Sequence, residues 1–186
     1  MWKFIKSSVD ATTWLSGHKR EVCFIGRSNV GKSSLINALT NIKRLAITSN
    51  TPGRTQLINF FQEKDKVLVD LPGYGYAKLS KSAKIKIETM LQEYFEHRDE
   101  IANVFVLIDT KVGLTSNDKV MIEYLQTLGH NFMIIGTKID KANQSEVIKT
   151  TNSLKLITNA YLLTSSTTKH NIEELKLILN KFFDSP

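Results

Sequence analysis

Residues 26–33 have the types and spacing of a phosphate-binding loop. They read Gly-Arg-Ser-Asn-Val-Gly-Lys-Ser, follow the apolar run 21–25 and precede the helix-like segment 34–39. Glycines in such a loop let successive backbone N–H groups turn toward a phosphate, and the N-terminus of the next helix adds partial positive charge. We expect Lys32 to contact the β- and γ-phosphates of a nucleotide and the Ser33 hydroxyl to bind Mg²⁺.

A second candidate site is the segment Asp70-Leu71-Pro72-Gly73, which follows the apolar run 67–69. A carboxylate at the C-terminal end of a strand can hold Mg²⁺, normally through water, and the backbone N–H of Gly73 can approach a γ-phosphate with no side chain in the way. By itself Asp-x-x-Gly is also a common turn. Because it follows a phosphate-binding loop along the chain, we interpret it as part of the same site.

A third candidate is Thr137-Lys138-Ile139-Asp140, directly after the apolar run 132–136. The Asp140 carboxylate can accept hydrogen bonds from N1–H and the amino group of guanine, which adenine cannot supply, and the Lys138 stem can lie over the ring. A backbone N–H in the segment Thr164-Ser165-Ser166 can bind guanine O6. The tetrapeptide alone would also fit a surface turn, but after a phosphate loop it favours GTP over ATP.

The elements that position these residues follow from the apolar pattern. Short β-branched runs alternate with segments of helical period, which is typical of βαβ units. We therefore predict an α/β protein with a mostly parallel six-stranded sheet and helices on both faces. Its strands are predicted at 21–26, 57–62, 67–70, 104–109, 132–137 and 161–164. The segment 40–56 has no clear period, and we expect it to be a functional loop.

Three segments carry apolar residues at helical spacing, and we expect each stripe to pack against the sheet. The first lies in 84–98. The second begins with the capping pattern Thr-Ser-Asn-Asp at 115–118 and ends before Gly129. The third begins at Asn171, with Glu174 three residues later at the spacing of a capping box.

The 186 residues are 41% hydrophobic and 23% charged, which indicates an ordinary globular protein. The single cysteine, Cys23, excludes an internal disulfide and is expected in the core, and the four histidines lack metal-ligand spacing. With no signal peptide and no run of eighteen apolar residues, we expect a cytoplasmic monomer with no membrane partner. An extension packed on the domain is placed at 1–20 and the nucleotide-binding domain at 21–186.

The net charge of +7 at pH 7 lies almost entirely in the first half of the chain. Residues 1–100 hold 16 Lys and Arg against 10 Asp and Glu, and the stretches 22–62 and 71–87 contain cations and no acid. This excess predicts an anionic partner, with a solvated basic face as the alternative.

Together these motifs resemble the EngB family of ribosome-biogenesis GTP-binding proteins, which are translation-factor-type P-loop GTPases. The resemblance spans about residues 20–183. It implies a three-layer P-loop GTPase domain, binding of GTP, GDP and Mg²⁺, weak GTP hydrolysis, and a role in large ribosomal subunit assembly linked to the cell cycle, cell division and septation. The segments that carry it are 26–39, 51–61, 70–78, 137–140 and 165–166.

The resemblance also implies the site residues. Thr55, in a mobile segment at 53–57, becomes the second Mg²⁺ ligand beside Ser33 and Asp70, although Thr51 lies in the same loop. Lys32, Thr55 and Gly73 are the implied catalytic residues. The implied GTP-binding set is Gly26, Arg27, Ser28, Asn29, Val30, Gly31, Lys32, Ser33, Ser34, Gly53, Arg54, Thr55, Gln56, Leu57, Asp70, Leu71, Pro72, Gly73, Thr137, Lys138, Ile139, Asp140, Thr164, Ser165 and Ser166.

This chain departs from related patterns at two places and resembles another group of GTPases at a third. Many relatives have a glycine where this chain has 167–170, which affects the conformation of that loop. Ras-like proteins have a water-orienting glutamine directly after Asp-x-x-Gly, and Tyr74 stands there instead, so we predict slow turnover that a partner raises. Asn29 resembles the asparagine of GTPases that use K⁺ in place of an arginine finger, and the alternative is that it only shapes the loop.

The cations exceed what one triphosphate needs, and the surplus suits ribosomal RNA in a precursor of the large ribosomal subunit, with salt-sensitive and nucleotide-dependent binding. Three alternatives stay open: a nucleotide-gated docking module with negligible turnover, a GTPase acting on another RNA process, and a P-loop kinase or ATPase. The last is disfavoured by 137–140 and by the lack of an arginine-rich lid. The surplus cations are Lys43, Arg44, Lys78, Lys81, Lys84 and Lys86.

Overall fold

The computed structural model describes residues 1–18, 20–46, 57–75 and 79–184. Within these ranges seven strands form one sheet, and five α-helices cover it. The strands are β1 (Lys3–Ser8), β2 (Arg20–Gly26), β3 (Ile58–Glu63), β4 (Lys66–Asp70), β5 (Ile101–Asp109), β6 (Phe132–Thr137) and β7 (Tyr161–Leu163). The helices are α1 (Lys32–Thr40), α2 (Lys81–His97), α3 (Ser116–Thr127), α4 (Gln144–Lys155) and α5 (Ile172–Asp184).

The sheet has the order β1-β3-β4-β2-β5-β6-β7. Strand β2 lies between β4 and β5 and is parallel to both, and β6 and β7 continue the parallel part. Strands β3 and β1 extend the other side in antiparallel pairing. Because parallel strands end at the same edge, the segments that follow β2, β4, β5, β6 and β7 meet there.

The predicted α/β fold with a mostly parallel sheet is confirmed, but the sheet has seven strands rather than six. All six predicted strands are present, five of them within one residue of their predicted ends, while β5 begins three residues earlier than predicted, at Ile101. The additional strand is β1, which lies at the sheet edge with Lys3, Phe4 and Ile5 exposed, so it lacks the alternation that predicts a strand. Residues of the 1–20 segment thus share the sheet, while the domain boundary after residue 20 stays a prediction.

The three layers follow from the alternation of side chains along β2. Val22 and Phe24 pack on one face with α1 and α5, whereas Cys23 and Ile25 pack on the other face with α2, α3 and α4. Cys23 is fully buried, and this burial raises the pKa of its thiol well above the usual range. Its place in the core agrees with the prediction, as does the packing of the three apolar stripes.

The starts of the helices were predicted only in part. The capping box of Thr115 and Asp118 begins α3 as predicted, and Gly129 follows its end with φ of 75°. Helix α5 begins directly after Asn171 as predicted, and the Leu175 N–H donates to the Asn171 carbonyl, but Asn171 has φ of 55° and its side-chain amide donates to the Leu163 carbonyl. Helix α4 was not predicted, although Asn143 and Glu146 form a capping box before it.

A buried ionic cluster fixes the end of α2 that lies away from the carboxyl edge of the sheet. The Arg98 guanidinium lies 3.0 Å from Glu21 Oε2, and His18 Nε2 lies 2.8 Å from the same oxygen. Tyr94 donates its hydroxyl to Glu21 Oε1, and Arg98 stacks 5.5 Å from the Trp14 ring. The cluster therefore ties the first twenty residues to β2 and α2.

None of the described helices is long and apolar enough to cross a membrane.

Candidate functional site

The predicted site residues collect at the carboxyl edge of the parallel strands. Segment 26–34 forms the end of β2, a loop and the first turn of α1, 70–73 follows from the end of β4, and 137–140 and 164–166 follow β6 and β7. Leu57 directly precedes β3 and is exposed. The predicted residues Gly53, Arg54, Thr55 and Gln56, with Thr51, lie outside the described residues.

The conformation of the loop after β2 depends on its two glycines. A Cβ on Gly26 would stand 2.8 Å from the Leu107 carbonyl oxygen and 2.9 Å from Val30 Cγ1, so a side chain would not fit. Gly31 precedes α1 with φ of 103°, in the region that favours glycine. Helix α1 therefore begins at Lys32 with its free N–H groups directed into the loop, as a phosphate site requires.

The structure brings Lys32 and Asp70 into direct contact. The Lys32 ammonium pairs with Asp70 Oδ1, and the side chains are only 10% and 4% exposed. Asp70 ends β4 beside Phe24 of β2, and the Leu71 N–H donates to the Phe24 carbonyl at 3.0 Å. The backbone N–H of Tyr74 donates to Gly26 O at 3.3 Å. The segment that was predicted to approach the γ-phosphate thus runs beside the phosphate loop.

The donor atoms at this position fit Mg²⁺. The half-buried Ser33 in the first turn of α1 supplies a hydroxyl, and Asp70 supplies a carboxylate. Mg²⁺ prefers oxygen ligands and usually takes only one or two from protein, completing its shell with water and phosphate oxygens. In the described ranges no three His, Cys, Asp or Glu side chains cluster to hold a metal by themselves. A magnesium ion here would therefore be shared with a bound phosphate group.

The loop after β6 is attached directly to the phosphate loop. Lys138 Nζ donates to the Asn29 carbonyl at 2.7 Å and to Asp109 Oδ2 at 2.9 Å. Thr137 Oγ1 lies 2.5 Å from the Val30 carbonyl oxygen and within hydrogen-bond distance of β5. Asp109 was not predicted as a site residue, and the signal that could have found it is an acid at the end of a predicted parallel strand.

The predicted guanine site has an exposed acceptor. Asp140 lies in a 3₁₀ turn, Ile139–Lys141, with an exposed side chain. The Ile139 N–H donates to the Thr164 carbonyl at 3.1 Å, which joins this turn to the loop after β7. In that loop Ser165 is buried and Ser166 is half-buried. Asp140 is therefore free to bind a base beside the two loops.

The loop 165–170, which includes the stretch 167–170 where the resemblance implies a glycine, is closed by hydrogen bonds between its own residues. Ser165 Oγ accepts a 3.0 Å hydrogen bond from the Thr168 N–H, and the Ser165 N–H donates to the His170 carbonyl at 3.1 Å. Lys169 has φ of 66°, which costs less for glycine than for lysine. The loop is thus closed by the hydrogen bonds of Ser165, with Lys169 in the left-handed region.

The side chain of Arg27 is directed toward α3. Its Nε lies 3.4 Å from Asp118 Oδ2, while the Tyr74 hydroxyl donates to Asp118 Oδ1 at 2.8 Å. Burial and the nearby Asp118 carboxylate raise the pKa of Tyr74 well above its usual range, so its phenol stays a neutral donor. The Arg27 side chain is therefore engaged by Asp118, and the role of Arg27 in nucleotide binding stays a prediction. Asp118 was predicted only as a helix cap.

Exposed cations lie at the start of α2, close to this edge of the sheet, and after the end of α1, which begins at this edge and runs away from it. Lys81 and Lys86 are exposed and Lys84 is half-buried in the first turns of α2, while Lys43 and Arg44 are exposed after α1. Lys78 lies outside the described residues. The three lysines of α2 thus form a positive surface near this edge that can contact an anionic partner, while Lys43 and Arg44 lie apart from them.

Comparisons with known proteins agree with this geometry. Residues 21–138 match the model of a family described as 50S ribosome-binding GTPase. A probable GTP-binding protein EngB of Mycoplasmopsis synoviae is 47% identical over 188 aligned residues, which cover 98% of this chain and 100% of the relative. Another, of Metamycoplasma arthritidis, is 54% identical over 147 residues, covering 78% and 80%. The crystal structure of a probable GTP-binding protein EngB matches with a TM-score of 0.72 and 25% identity, over 89% of this chain and 100% of that one.

Proposed function

The chain belongs to the EngB family of GTP-binding proteins and is a P-loop GTPase, and from this membership we propose that bound GTP controls its attachment to a precursor of the large ribosomal subunit. The observation that most supports nucleotide binding, on which this control depends, is the meeting of three segments at one sheet edge. The phosphate loop, Asp70 and the 137–140 turn lie together there, and Lys138 joins the last to the first.

In this proposal the phosphates bind to the backbone N–H groups of 28–33 and to the Lys32 ammonium, and the Gly73 N–H reaches the γ-phosphate. Ser33, Asp70 and Thr55 would hold Mg²⁺, which neutralises charge on the β- and γ-phosphate oxygens when bound. Lys32 leaves its contact with Asp70 and pairs with the phosphates. Asp70 would then face Mg²⁺, so each of the two side chains keeps a partner of opposite charge. Asp140 selects guanine by accepting its N–H hydrogens.

We propose that hydrolysis is slow in the isolated protein. The position after Gly73 holds Tyr74, whose hydroxyl is already bound to Asp118 and so does not orient a water. Single-turnover measurements should give less than about one turnover per second, in the range that P-loop GTPases show without activation. Turnover at tens per second would contradict this role of Tyr74.

The ribosomal partner is supported by the description of the matching family and by the cations of 81–86 and 43–44. We expect the protein to sediment with large-subunit precursors when a non-hydrolysable GTP analogue is bound and to dissociate with GDP or at high salt. Reversing the charges of Lys78, Lys81 and Lys84 should abolish cosedimentation. Reversing Lys119, Lys149 and Lys155, which are exposed on α3 and α4, is the matched control.

Cosedimentation that does not depend on the nucleotide, or that survives the charge reversal, would contradict the proposed switch. A nucleotide-gated docking module is the second candidate, because the hydroxyl of Tyr74 is engaged away from the phosphates. Binding that depends on the GTP analogue, with no increase in turnover when particles are added, would favour it. Action on another RNA process, a cytoplasmic location, a monomeric state and a link to cell division and septation remain predictions.

A further inference from the structure

Asp118 is a buried carboxylate with both oxygens engaged. Oδ1 accepts the 2.8 Å hydrogen bond of the Tyr74 hydroxyl. Oδ2 accepts from the Thr115 N–H at 2.8 Å and from its hydroxyl at 2.7 Å, and it lies 3.4 Å from Arg27 Nε. The Asp118 side chain is fully buried. Three parts of the molecule therefore meet at one carboxylate: the phosphate loop, the segment after Gly73, and the start of α3.

Capping of α3 does not account for this arrangement. The capping box needs one oxygen of Asp118 to accept from the Thr115 backbone, and Oδ2 does so. A cap can work at an exposed position, whereas full burial of a carboxylate is unfavourable unless further donors compensate for lost water. The Tyr74 hydroxyl is such a donor, and the Arg27 guanidinium adds an opposite charge 3.4 Å from Oδ2. Oδ1, which the cap does not use, thus holds Tyr74 beside the nucleotide site.

The backbone around Tyr74 is also seated closely against its neighbours. Tyr74 forms a parallel bridge with Arg27, and its N–H donates to the Gly26 carbonyl. The next residue, Gly75, has φ of 74°, and a Cβ there would stand 2.9 Å from Asn117 Nδ2. The segment 73–75 therefore lies between the phosphate loop and the first turn of α3, where Asp118 fixes the Tyr74 side chain.

We propose that Asp118 is a positioning residue of the GTPase site, which holds Tyr74 and thereby sets the Gly73 N–H at the γ-phosphate position. The proposal rests on the proposed function, because it assigns Asp118 a role in distinguishing GTP from GDP. Only the triphosphate extends to Gly73. Loss of the Asp118 contact should therefore weaken triphosphate binding while diphosphate binding is unchanged.

The test uses the full-length protein and compares the dissociation constants of a non-hydrolysable GTP analogue and of GDP. Tyr74→Phe removes the hydroxyl and keeps the ring, and Asp118→Asn keeps the shape but removes the charge. Each should raise the ratio of the analogue constant to the GDP constant by about tenfold, the effect of one hydrogen bond to a charged group. The kcat for GTP should fall, and GDP affinity should stay within about twofold of wild type.

Tyr94→Phe is the matched control, because Tyr94 also donates a buried hydroxyl to a carboxylate, Glu21, near the opposite edge of the sheet. It should leave the ratio unchanged. If Asp118→Asn does not fold, Tyr74→Phe decides the question. An unchanged or lowered ratio in Tyr74→Phe, or an equal increase in Tyr94→Phe, would overturn the role of Asp118. A wild-type protein that binds no GTP analogue would instead overturn the proposed function together with this inference.

Discussion

The Lys138 ammonium donates a 2.7 Å hydrogen bond to the backbone carbonyl of Asn29 and pairs with Asp109 at 2.9 Å. One side chain thus connects the turn that carries Asp140 to the loop that is proposed to bind phosphate. Base recognition and phosphate binding are separate tasks, but a nucleotide needs both sites at a fixed spacing. Lys138 sets this spacing by a direct contact in addition to the pairing of the strands.

Replacing Lys138 by Met should weaken GTP and GDP equally, by about tenfold, because the contact with Asn29 does not involve the γ-phosphate. Met keeps the apolar stem and removes the ammonium. Titration with fluorescent GDP and GTP analogues measures both constants. Lys141→Met, in the same 3₁₀ turn, is the control and should bind as wild type. A loss confined to the triphosphate would contradict the joining role of Lys138.

Asp140→Asn should reduce GTP affinity by about 10³-fold, because an amide replaces one acceptor oxygen by a donor, so that one N–H group of guanine faces another donor, and because the charge is lost. The weak binding of ATP should not change, so the ratio of the two constants is the informative quantity. Asp65→Asn, in the exposed turn between β3 and β4, is the matched substitution and should have no effect. If Asp140→Asn kept the preference for GTP, guanine would be recognised elsewhere.

Hydrolysis should be faster in KCl than in NaCl of equal ionic strength, by about tenfold or more, if Asn29 holds a potassium ion that neutralises charge on the transferring phosphoryl group. The left-handed φ of 63° at Asn29 also fits the alternative that this residue only shapes the loop. Asn29→Gly separates the two, because glycine keeps the backbone conformation and lacks the amide. The variant should hydrolyse GTP at one rate in both salts. Equal rates in the wild-type protein would remove the potassium hypothesis.

Glu21 should make the free energy of unfolding depend on pH in the acid range. Burial by itself raises the pKa of this carboxyl, but hydrogen bonds from His18 and Arg98 outweigh it and the net pKa is lowered from 4.5. A lowered native pKa stabilises the fold above the unfolded value, and this stabilisation is lost as pH falls through the native pKa. Urea unfolding between pH 3 and pH 7 measures the loss.

Glu21→Gln should flatten that acid dependence and lower the free energy of unfolding at pH 7 by about 3 kcal/mol, because Arg98 is left buried beside a neutral amide. Glu88→Gln, on the exposed side of α2, should keep the wild-type profile. An acid dependence in Glu21→Gln as steep as in wild type would show that other carboxylates control it.

The parts of the site that could be predicted are those that local sequence determines. The sequence shows a glycine-rich loop between a strand and a helix, and short motifs after later parallel strands. Because parallel strands end at one edge of the sheet, these motifs can be placed together at that edge. The direction of the Arg27 side chain could not be predicted in this way, since its partner Asp118 lies on α3 and is adjacent only after folding. Asp118 itself matched a local pattern, the helix cap. That pattern explains its contact with Thr115 but does not indicate its contacts with Tyr74 and Arg27.

The same difference, between local patterns and contacts formed only on folding, explains which strands and helices could be predicted. The predicted strands of the parallel sheet are continuous apolar runs that can be identified by themselves. Strand β1 has no such pattern. It forms a strand because it pairs with β3, which lies far along the chain and is adjacent only after folding. Helix α4 has capping signals at Asn143 and Glu146 but exposes Ile148, so its apolar stripe is narrow.

The edge position of β1 protects the sheet against association between copies of the chain. Without it the edge strand would be β3, whose Phe60 and Phe61 are buried and whose backbone groups would offer a template for another strand. Strand β1 presents a poorer template, because an irregularity in its pairing falls between Phe4 and Lys6 and its lysines carry charge along the edge. The first eight residues thus contribute to solubility as well as to the fold.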